Sequence, residues 1–107
     1  MSQVTTHVLD VSRGRPAPGI HVVLATDAGD VIAEGHTDDD GRVAKLGPDR
    51  LEPGGYRLRF DTGRYFAAAD VASFFPEVSI SFAVAGEGHH HVPLLLSPYS
   101  YTTYRGS

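Results

Sequence analysis

Apolar and polar residues alternate in short runs along most of the chain, and turn-forming residues separate one run from the next. In the run Tyr56–Asp61, apolar side chains at positions 56, 58 and 60 alternate with arginines at 57 and 59. Such alternation puts one set of side chains on each face of a strand. The same pattern predicts strands at Val4–Val11, Ile20–Thr26, Val31–Thr37, Arg42–Leu46, Tyr56–Asp61, Val78–Val84, His89–Leu96 and Tyr99–Tyr104.

One segment favours a helix. Tyr65–Ala72 contains three consecutive alanines, which are strong helix formers, and Pro76 limits any extension. Short strands joined by short turns are typical of an all-β fold, and seven to eight of them predict an antiparallel two-sheet Greek-key sandwich with one short helix. The 107 residues contain no repeat or linker, so residues 1–107 are expected to form a single domain.

Composition excludes several classes of function. The chain has no cysteine, which excludes disulfides, thiolate metal ligands and cysteine nucleophiles. Its formal net charge is −4 with no basic cluster, so nucleic acid is not an expected partner. The start of the chain lacks the basic and apolar regions of a signal peptide, and no apolar run approaches the ~18 residues that a membrane span needs. A cytoplasmic protein without membrane contact is therefore expected.

Three adjacent histidines open the predicted strand His89–Leu96. Its apolar residues at 92, 94 and 96 share one face with His90, and His89 and His91 share the other. If the apolar face is core, His91 is the functional candidate, His89 its weaker companion, and His90 a packing residue. Neighbours on a strand point to opposite faces, and no carboxylate or thiolate at suitable spacing completes a site, so no metal is expected.

The segment from His89 to Pro98 and the terminal Tyr104-Arg-Gly-Ser107 closely resemble the C-terminus of the 5-hydroxyisourate hydrolases, the enzymatic branch of the transthyretin-like family. One position departs from that pattern, because His90 stands where the family usually has tyrosine. The resemblance covers essentially the whole chain through the upstream motifs Thr6-His7-Val8-Leu9-Asp10, Thr37-Asp38-Asp39-Asp40-Gly41-Arg42, Gly55-Tyr56-Arg57, Tyr65-Phe66 and Ser73-Phe74-Phe75-Pro76-Glu77.

The resemblance implies a transthyretin-like (prealbumin-like) sandwich that assembles as a homotetramer, a dimer of dimers. It also implies a catalytic role for His7 and a substrate-binding role for Arg42. From the residues alone, a lone histidine on a strand such as His7 is more often a hydrogen-bonded structural residue than a catalyst. The alternative for Arg42 is an ordinary arginine at the start of a strand, salt-bridged to Asp38, Asp39 or Asp40.

The implied reaction is the hydrolysis of 5-hydroxyisourate to 2-oxo-4-hydroxy-4-carboxy-5-ureidoimidazoline in urate degradation, without a cofactor. Water attacks a ring carbonyl, with His91 or His7 as the general base and Arg42 binding the carbonyls of a planar substrate. Tyr104 and Ser107 are expected to complete the pocket through hydrogen bonds. Ser107 is not expected to be an acylated nucleophile, because the chain has no Gly-x-Ser-x-Gly turn.

Two other classes of protein stay open at this stage. One is a non-enzymatic carrier that binds a hydrophobic small molecule, as vertebrate transthyretin does. The other is a purely structural sandwich, in which loss of the last four residues affects only the chain end.

Overall fold

The computed structural model describes residues 2–107, which form two four-stranded sheets and one short helix. The elements, in chain order, are β1 (Val4–Asp10), β2 (Arg15–Pro16), β3 (His21–Thr26), β4 (Val31–His36), β5 (Gly54–Phe60), α1 (Thr62–Ala68), β6 (Val78–Val84), β7 (His90–Ser97) and β8 (Ser100–Thr103). The predicted two-sheet sandwich with one short helix is confirmed. Within residues 2–107, no helix is long and apolar enough to span a membrane.

The first sheet has the strand order β2-β1-β7-β8 and the second has the order β4-β3-β5-β6. All neighbouring strands run antiparallel except β1 and β7, which pair in parallel from Val4 beside His90 to Asp10 beside Leu96. This one pair departs from the antiparallel arrangement that the sequence predicts for the sandwich. Parallel neighbours need a long crossover, which the second sheet and the helix provide.

The core lies between the two sheets, where the alternation in each strand predicts it. In β1, Val4 and Val8 are buried, whereas Thr5 and His7 are only partly covered on the outer face. The inner faces of all the longer strands except β4 contribute to one buried apolar cluster, whose largest fully buried side chains are Phe60, Ile20, Leu24, Leu46, Leu58, Leu94 and Leu96. This packing leaves the outer face of the first sheet available for polar side chains.

The predicted strand Arg42–Leu46 does not form. Arg42 makes an isolated bridge with His7, and the following backbone leaves the sheet. Its polar groups find side-chain partners instead: the Leu46 N–H donates to Ser2 Oγ over 2.9 Å, and Ser2 Oγ donates to the Gly47 carbonyl over 3.1 Å. Side-chain hydrogen bonds of this kind compete with strand pairing.

Two further elements differ from the predictions. The helix runs from Thr62 to Ala68 rather than from Tyr65 to Ala72, because Asp70 adopts a left-handed conformation with φ 57°. The Val71 N–H then turns back to the Phe66 carbonyl over 2.9 Å. Arg15–Pro16, which the sequence placed in a loop, pairs with the end of β1. The other strands begin and end within two residues of their predicted bounds.

Candidate active site

The outer face of the first sheet brings together side chains from both ends of the chain. The parallel register places Thr5 beside His91 and His7 beside Pro93. His90 is buried, with 4% of its surface exposed, whereas His91 is half-buried and His89 is exposed. The predicted orientation of the three histidines is therefore confirmed. His7 and His91 lie on the same face of neighbouring strands.

Arg42 reaches this face because a tight turn delivers its backbone to β1. Asp38 Oδ1 accepts the N–H groups of Asp40 and Arg42 over 2.9 and 3.0 Å, and the Val8 N–H donates to the Gly41 carbonyl over 2.8 Å. Gly41 has φ +77°, and a Cβ there would collide with the backbone of Val8. Residues opposite each other in an antiparallel bridge point to the same face, so Arg42 shares the face of His7.

The alternative of an Arg42 salt bridge to the neighbouring aspartates is not observed. Within residues 2–107 the guanidinium makes no salt bridge, and Asp38 binds the Arg42 backbone instead. The Arg42 side chain is exposed. A guanidinium whose backbone is fixed beside His7, and which pairs with no side chain among residues 2–107, suits a ligand that presents carbonyl or carboxylate oxygens.

Thr5 connects two of the histidines. Its Oγ1 lies 2.7 Å from His89 Nε2 and 2.8 Å from His91 Nδ1. The two imidazole centroids are 6.1 Å apart, with the rings tilted by 32°. Sequence reasoning missed Thr5, although its position two residues before His7 on the same strand face was a usable signal.

The end of the chain packs against His91. The Gly106 N–H donates to the His91 carbonyl over 2.9 Å, and a Cβ on Gly106 would lie 2.5 Å from His91 Cδ2. Only glycine therefore fits here without displacing the ring. Thr103 Oγ1 donates to the Pro93 carbonyl over 2.8 Å and fixes the start of the tail.

A cavity of about 280 Å³ lies beside this tail, between the edge strand β6 and the start of β7. Its polar lining includes His91, Tyr104 and Arg105. Tyr104 is exposed, and Ser107 is exposed directly after Gly106. Of the predicted site residues, His7, Arg42 and His91 share one sheet face, Tyr104 lines the cavity with His91, and Ser107 ends the tail that packs on His91.

The electrostatic environment favours a neutral imidazole at His91. Burial lowers the pKa of His91 from its ordinary value of 6.5, and electrostatic repulsion from Arg42, and from His89 and His7 when they carry a proton, lowers it further. Both causes disfavour the imidazolium. At neutral pH the ring therefore carries a free lone pair, as a general base requires.

His90 has a structural place. Its Nδ1 donates to the Gly88 carbonyl over 2.6 Å, and its Nε2 accepts the Ala85 N–H over 3.3 Å. These bonds close the turn between β6 and β7. The ring thus occupies the position of the family tyrosine as a buried, fully paired residue.

A second histidine pair lies on the other sheet. His21 and His36 are cross-strand neighbours with ring centroids 5.0 Å apart, and both line a cavity of about 640 Å³ beside α1. His21 Nε2 lies 2.8 Å from Glu34 Oε1. No group of three histidine, aspartate or glutamate side chains within residues 2–107 is arranged to hold a metal ion.

The sequence model of the HIUase/Transthyretin family matches residues 4–106. The 5-hydroxyisourate hydrolase of Salmonella dublin is 45% identical over 109 residues, covering 97% of this chain and 80% of that protein. The solved structure of Klebsiella pneumoniae 5-hydroxyisourate hydrolase matches with a TM-score of 0.91 and 39% identity, over 100% of this chain and 94% of that one.

A solved complex of sea bream transthyretin with thyroxine also matches with a TM-score of 0.91. Its identity is 31%, and the match covers 97% of this chain and 94% of that one. The fold is thus common to hydrolases and to a hormone complex. Fold alone does not separate these functions, and the residues on the outer face of the first sheet must do so.

Proposed function

The chain belongs to the HIUase/transthyretin family, as its motifs predicted, and we propose that it catalyses the hydrolysis of 5-hydroxyisourate to 2-oxo-4-hydroxy-4-carboxy-5-ureidoimidazoline in urate degradation. One observation carries this proposal beyond family membership. His91, whose pKa is lowered by burial and by nearby cations, lies on the same sheet face as His7 and Arg42. A general base and a carbonyl-binding cation thus face one small site.

The reaction is the opening of a cyclic amide by water. His91 Nε2 takes a proton from the attacking water while a C–O bond forms at the ring carbonyl. The tetrahedral intermediate then collapses with cleavage of the C–N bond, and His91 returns the proton to the leaving nitrogen. Positioned acid–base catalysis of this kind contributes roughly 10²–10⁴-fold. His7 lies beside Pro93 on the neighbouring strand, where it orients water or substrate.

Arg42 binds the carbonyl oxygens of the planar substrate through its fork of N–H donors. A donor aimed at the oxygen that gains charge is worth on the order of 3 kcal/mol in such reactions. The hydroxyl groups of Tyr104 and Ser107 close the site from the tail that packs on His91. The step uses these side chains alone and needs no metal or organic cofactor.

The assembly that we propose is a homotetramer built as a dimer of dimers. The edge strands β6 and β8 carry unpaired backbone groups, and the exposed aromatic side chains of Phe74, Tyr99 and Tyr101 lie in or next to β8. Phe75 packs edge-on against Tyr101 with ring centroids 5.2 Å apart, so the aromatic surface is continuous. Open edges beside an exposed apolar patch favour pairing with a second copy. A cytoplasmic location remains the expectation from the sequence.

The proposal is tested by generating 5-hydroxyisourate in situ with urate oxidase and following the decay of its ultraviolet absorbance. We expect decay well above the spontaneous rate, and severe loss of turnover when the chain is truncated before Tyr104, with the domain still folded. If the folded protein bound thyroxine saturably but did not accelerate the decay, the proposed hydrolase function would be wrong and a ligand-carrier function would take its place. Sedimentation equilibrium on the same sample tests the tetramer.

A further inference from the structure

Thr5 occupies a position that the proposed reaction does not yet use. Its single hydroxyl lies between His89 Nε2 and His91 Nδ1, at 2.7 and 2.8 Å. We propose, on the basis of the proposed function, that Thr5 is a positioning residue that sets the tautomer of His91 and links it to His89 as a proton relay. Neither Thr5 nor His89 contacts the substrate in this account.

The number of hydrogens limits how Thr5 can bond to the two rings. A threonine hydroxyl has one proton to donate and two lone pairs to accept with. It therefore cannot donate to both rings at once: it either accepts from both, or donates to one and accepts from the other, and the relay that we propose uses the second arrangement. When Thr5 accepts from His91 Nδ1–H, it donates to His89 Nε2. His91 Nε2 is then free of a proton and can act as the base.

The same contacts allow the charge to move during turnover. As His91 Nε2 takes a proton from water, its Nδ1 proton passes to Thr5 Oγ1, and the Thr5 hydroxyl proton passes to His89 Nε2. His89 then carries the positive charge. When His91 gives its Nε2 proton to the leaving nitrogen, both transfers run backwards and the starting state returns. No other reactant is needed.

The surroundings of the two rings show why such a transfer helps. A charge on His91 would be half-buried on the face shared with Arg42 and His7, and the uncharged Gly106 packs against its ring. His89 is exposed, so water solvates its charge. Moving the charge from His91 to His89 therefore lowers the energy of the charged intermediate.

The fold holds Thr5 in the required place. The parallel register sets Thr5 directly beside His91, and the branched Cβ of threonine restricts its χ1 angle. His89 precedes β7 on the same side as His91. The hydroxyl is thereby held between the two rings by the backbone of the sheet.

Three variants test the relay in the ultraviolet decay assay. Thr5→Val keeps the side-chain shape but removes both hydrogen bonds, and we expect kcat to fall by about tenfold to a hundredfold with little change in KM. Thr5→Ser keeps the hydroxyl and should retain kcat within about threefold of the unmodified protein. Thr102→Val, at an exposed threonine of β8, is the matched control and should leave kcat unchanged.

A double-mutant cycle separates a relay from a packing role. His89→Gln cannot accept the proton and should lower kcat by a factor similar to that of Thr5→Val. Because both changes interrupt one path, the combined variant should fall no further than either alone. Multiplicative losses, or a Thr5→Val variant with unchanged kcat, would overturn the inference.

Nitrogen-15 NMR of the imidazoles gives a readout that does not depend on turnover. In the free protein we expect His91 to carry its proton on Nδ1, and Thr5→Val to give a mixture of both tautomers. A proton found on Nε2 in the unmodified protein would contradict the inference. If the unmodified protein did not hydrolyse 5-hydroxyisourate at all, the proposed function would fail, whereas an active protein insensitive to Thr5→Val would refute only the relay.

Discussion

The backbone N–H of Gly106 donates to the carbonyl of His91 over 2.9 Å, which fixes the end of the chain against the candidate base. A chain end normally frays unless a sheet or a packed contact restrains it. Here the restraint falls on the residue between Arg105 and Ser107, so both of their side chains start from a fixed backbone. The sheet therefore holds the tail beside the candidate base.

Gly106→Ala tests this contact. The added Cβ would lie 2.5 Å from His91 Cδ2, so either the ring or the tail must move. Because a misplaced base loses most of its effect, we expect kcat to fall by about a hundredfold in the ultraviolet decay assay. The thermal midpoint should change little, since the contact lies on the outer face of the sheet.

Gly88→Ala is the matched control for this substitution. A Cβ at Gly88 meets nothing within 4 Å. The control should retain full turnover. Equal kcat values for the Gly106→Ala variant and the unmodified protein would show that the tail does not position His91.

The Asp38 turn provides a second test, because it positions Arg42 without touching substrate. Asp38→Ala removes the acceptor for the N–H groups of Asp40 and Arg42. A loosened Arg42 should raise KM about tenfold, which corresponds to the loss of about one charged hydrogen bond at roughly 1.5–3 kcal/mol. Steady-state kinetics measure this change, and Asp39→Ala in the same turn is the control. A similar KM in both variants would refute the positioning role.

The pKa of His91 is open to direct measurement by NMR titration. Burial, the Arg42 guanidinium, and His89 and His7 when they carry a proton all lower this pKa, so His91 should titrate below 6.5 and the acid limb of kcat/KM should lie there too. Removing a positive neighbour stabilises the imidazolium. Arg42→Gln should therefore raise the pKa of His91, whereas Arg64→Gln on α1 should not. The account would be contradicted by a pKa at or above 6.5 in the unmodified protein.

The hydrogen bond from Tyr65 to Asp10 links α1 to the end of β1 over 2.7 Å and predicts how stability depends on pH. Burial raises the pKa of Asp10, but hydrogen bonds from Ser12, Tyr65 and Arg13 outweigh it, so the pKa lies below 3.8. The stability that ionised Asp10 contributes is present above pH 3.8 and is lost as the pH falls through the folded-state pKa of Asp10. Burial and the bond to Asp10 raise the pKa of Tyr65 to about 12.

Tyr65 gives the stability a pH dependence of the opposite sign. Its stabilisation is present below pH 10 and is lost as the pH rises towards about 12, because the unfolded chain ionises first. Tyr65→Phe should remove the loss of stability at alkaline pH and weaken the loss of stability at acid pH. It should also lower the free energy of unfolding at neutral pH by about 1–3 kcal/mol. Urea unfolding across pH measures both limbs, with Tyr99→Phe as the control. Identical pH curves for Tyr65→Phe and the unmodified protein would refute the linkage.

The sequence predicts those features that depend on local alternation. The period of β7 gives the orientation of His89, His90 and His91, because neighbouring side chains on any strand alternate. It does not give the parallel pairing of β1 with β7, which joins residues more than eighty positions apart. The sequence places Thr5 on the strand face of His7, but it does not place Thr5 against His89 and His91. Its partners become visible only in the register of two strands.

Local sequence patterns are also insufficient to predict the loops. The Asp-Asp-Gly turn before Arg42 is evident in the sequence, but the strand predicted after it is replaced by side-chain bonds to Ser2. The place of Arg42 beside His7 follows from the close approach of Gly41 to Val8, which no local pattern encodes. Motif resemblance indicated these residues, and the geometry supplies a physical reason for their proximity.

The most direct test of the central claim compares two histidine variants in the same hydrolysis assay. His91→Asn removes the candidate base, whereas His36→Asn changes an exposed histidine on the other sheet. The account predicts that the His36→Asn variant hydrolyses 5-hydroxyisourate as fast as the unmodified protein. It also predicts that kcat of the His91→Asn variant falls by about a hundredfold or more while the protein stays folded. Full activity in the His91→Asn variant would contradict the account.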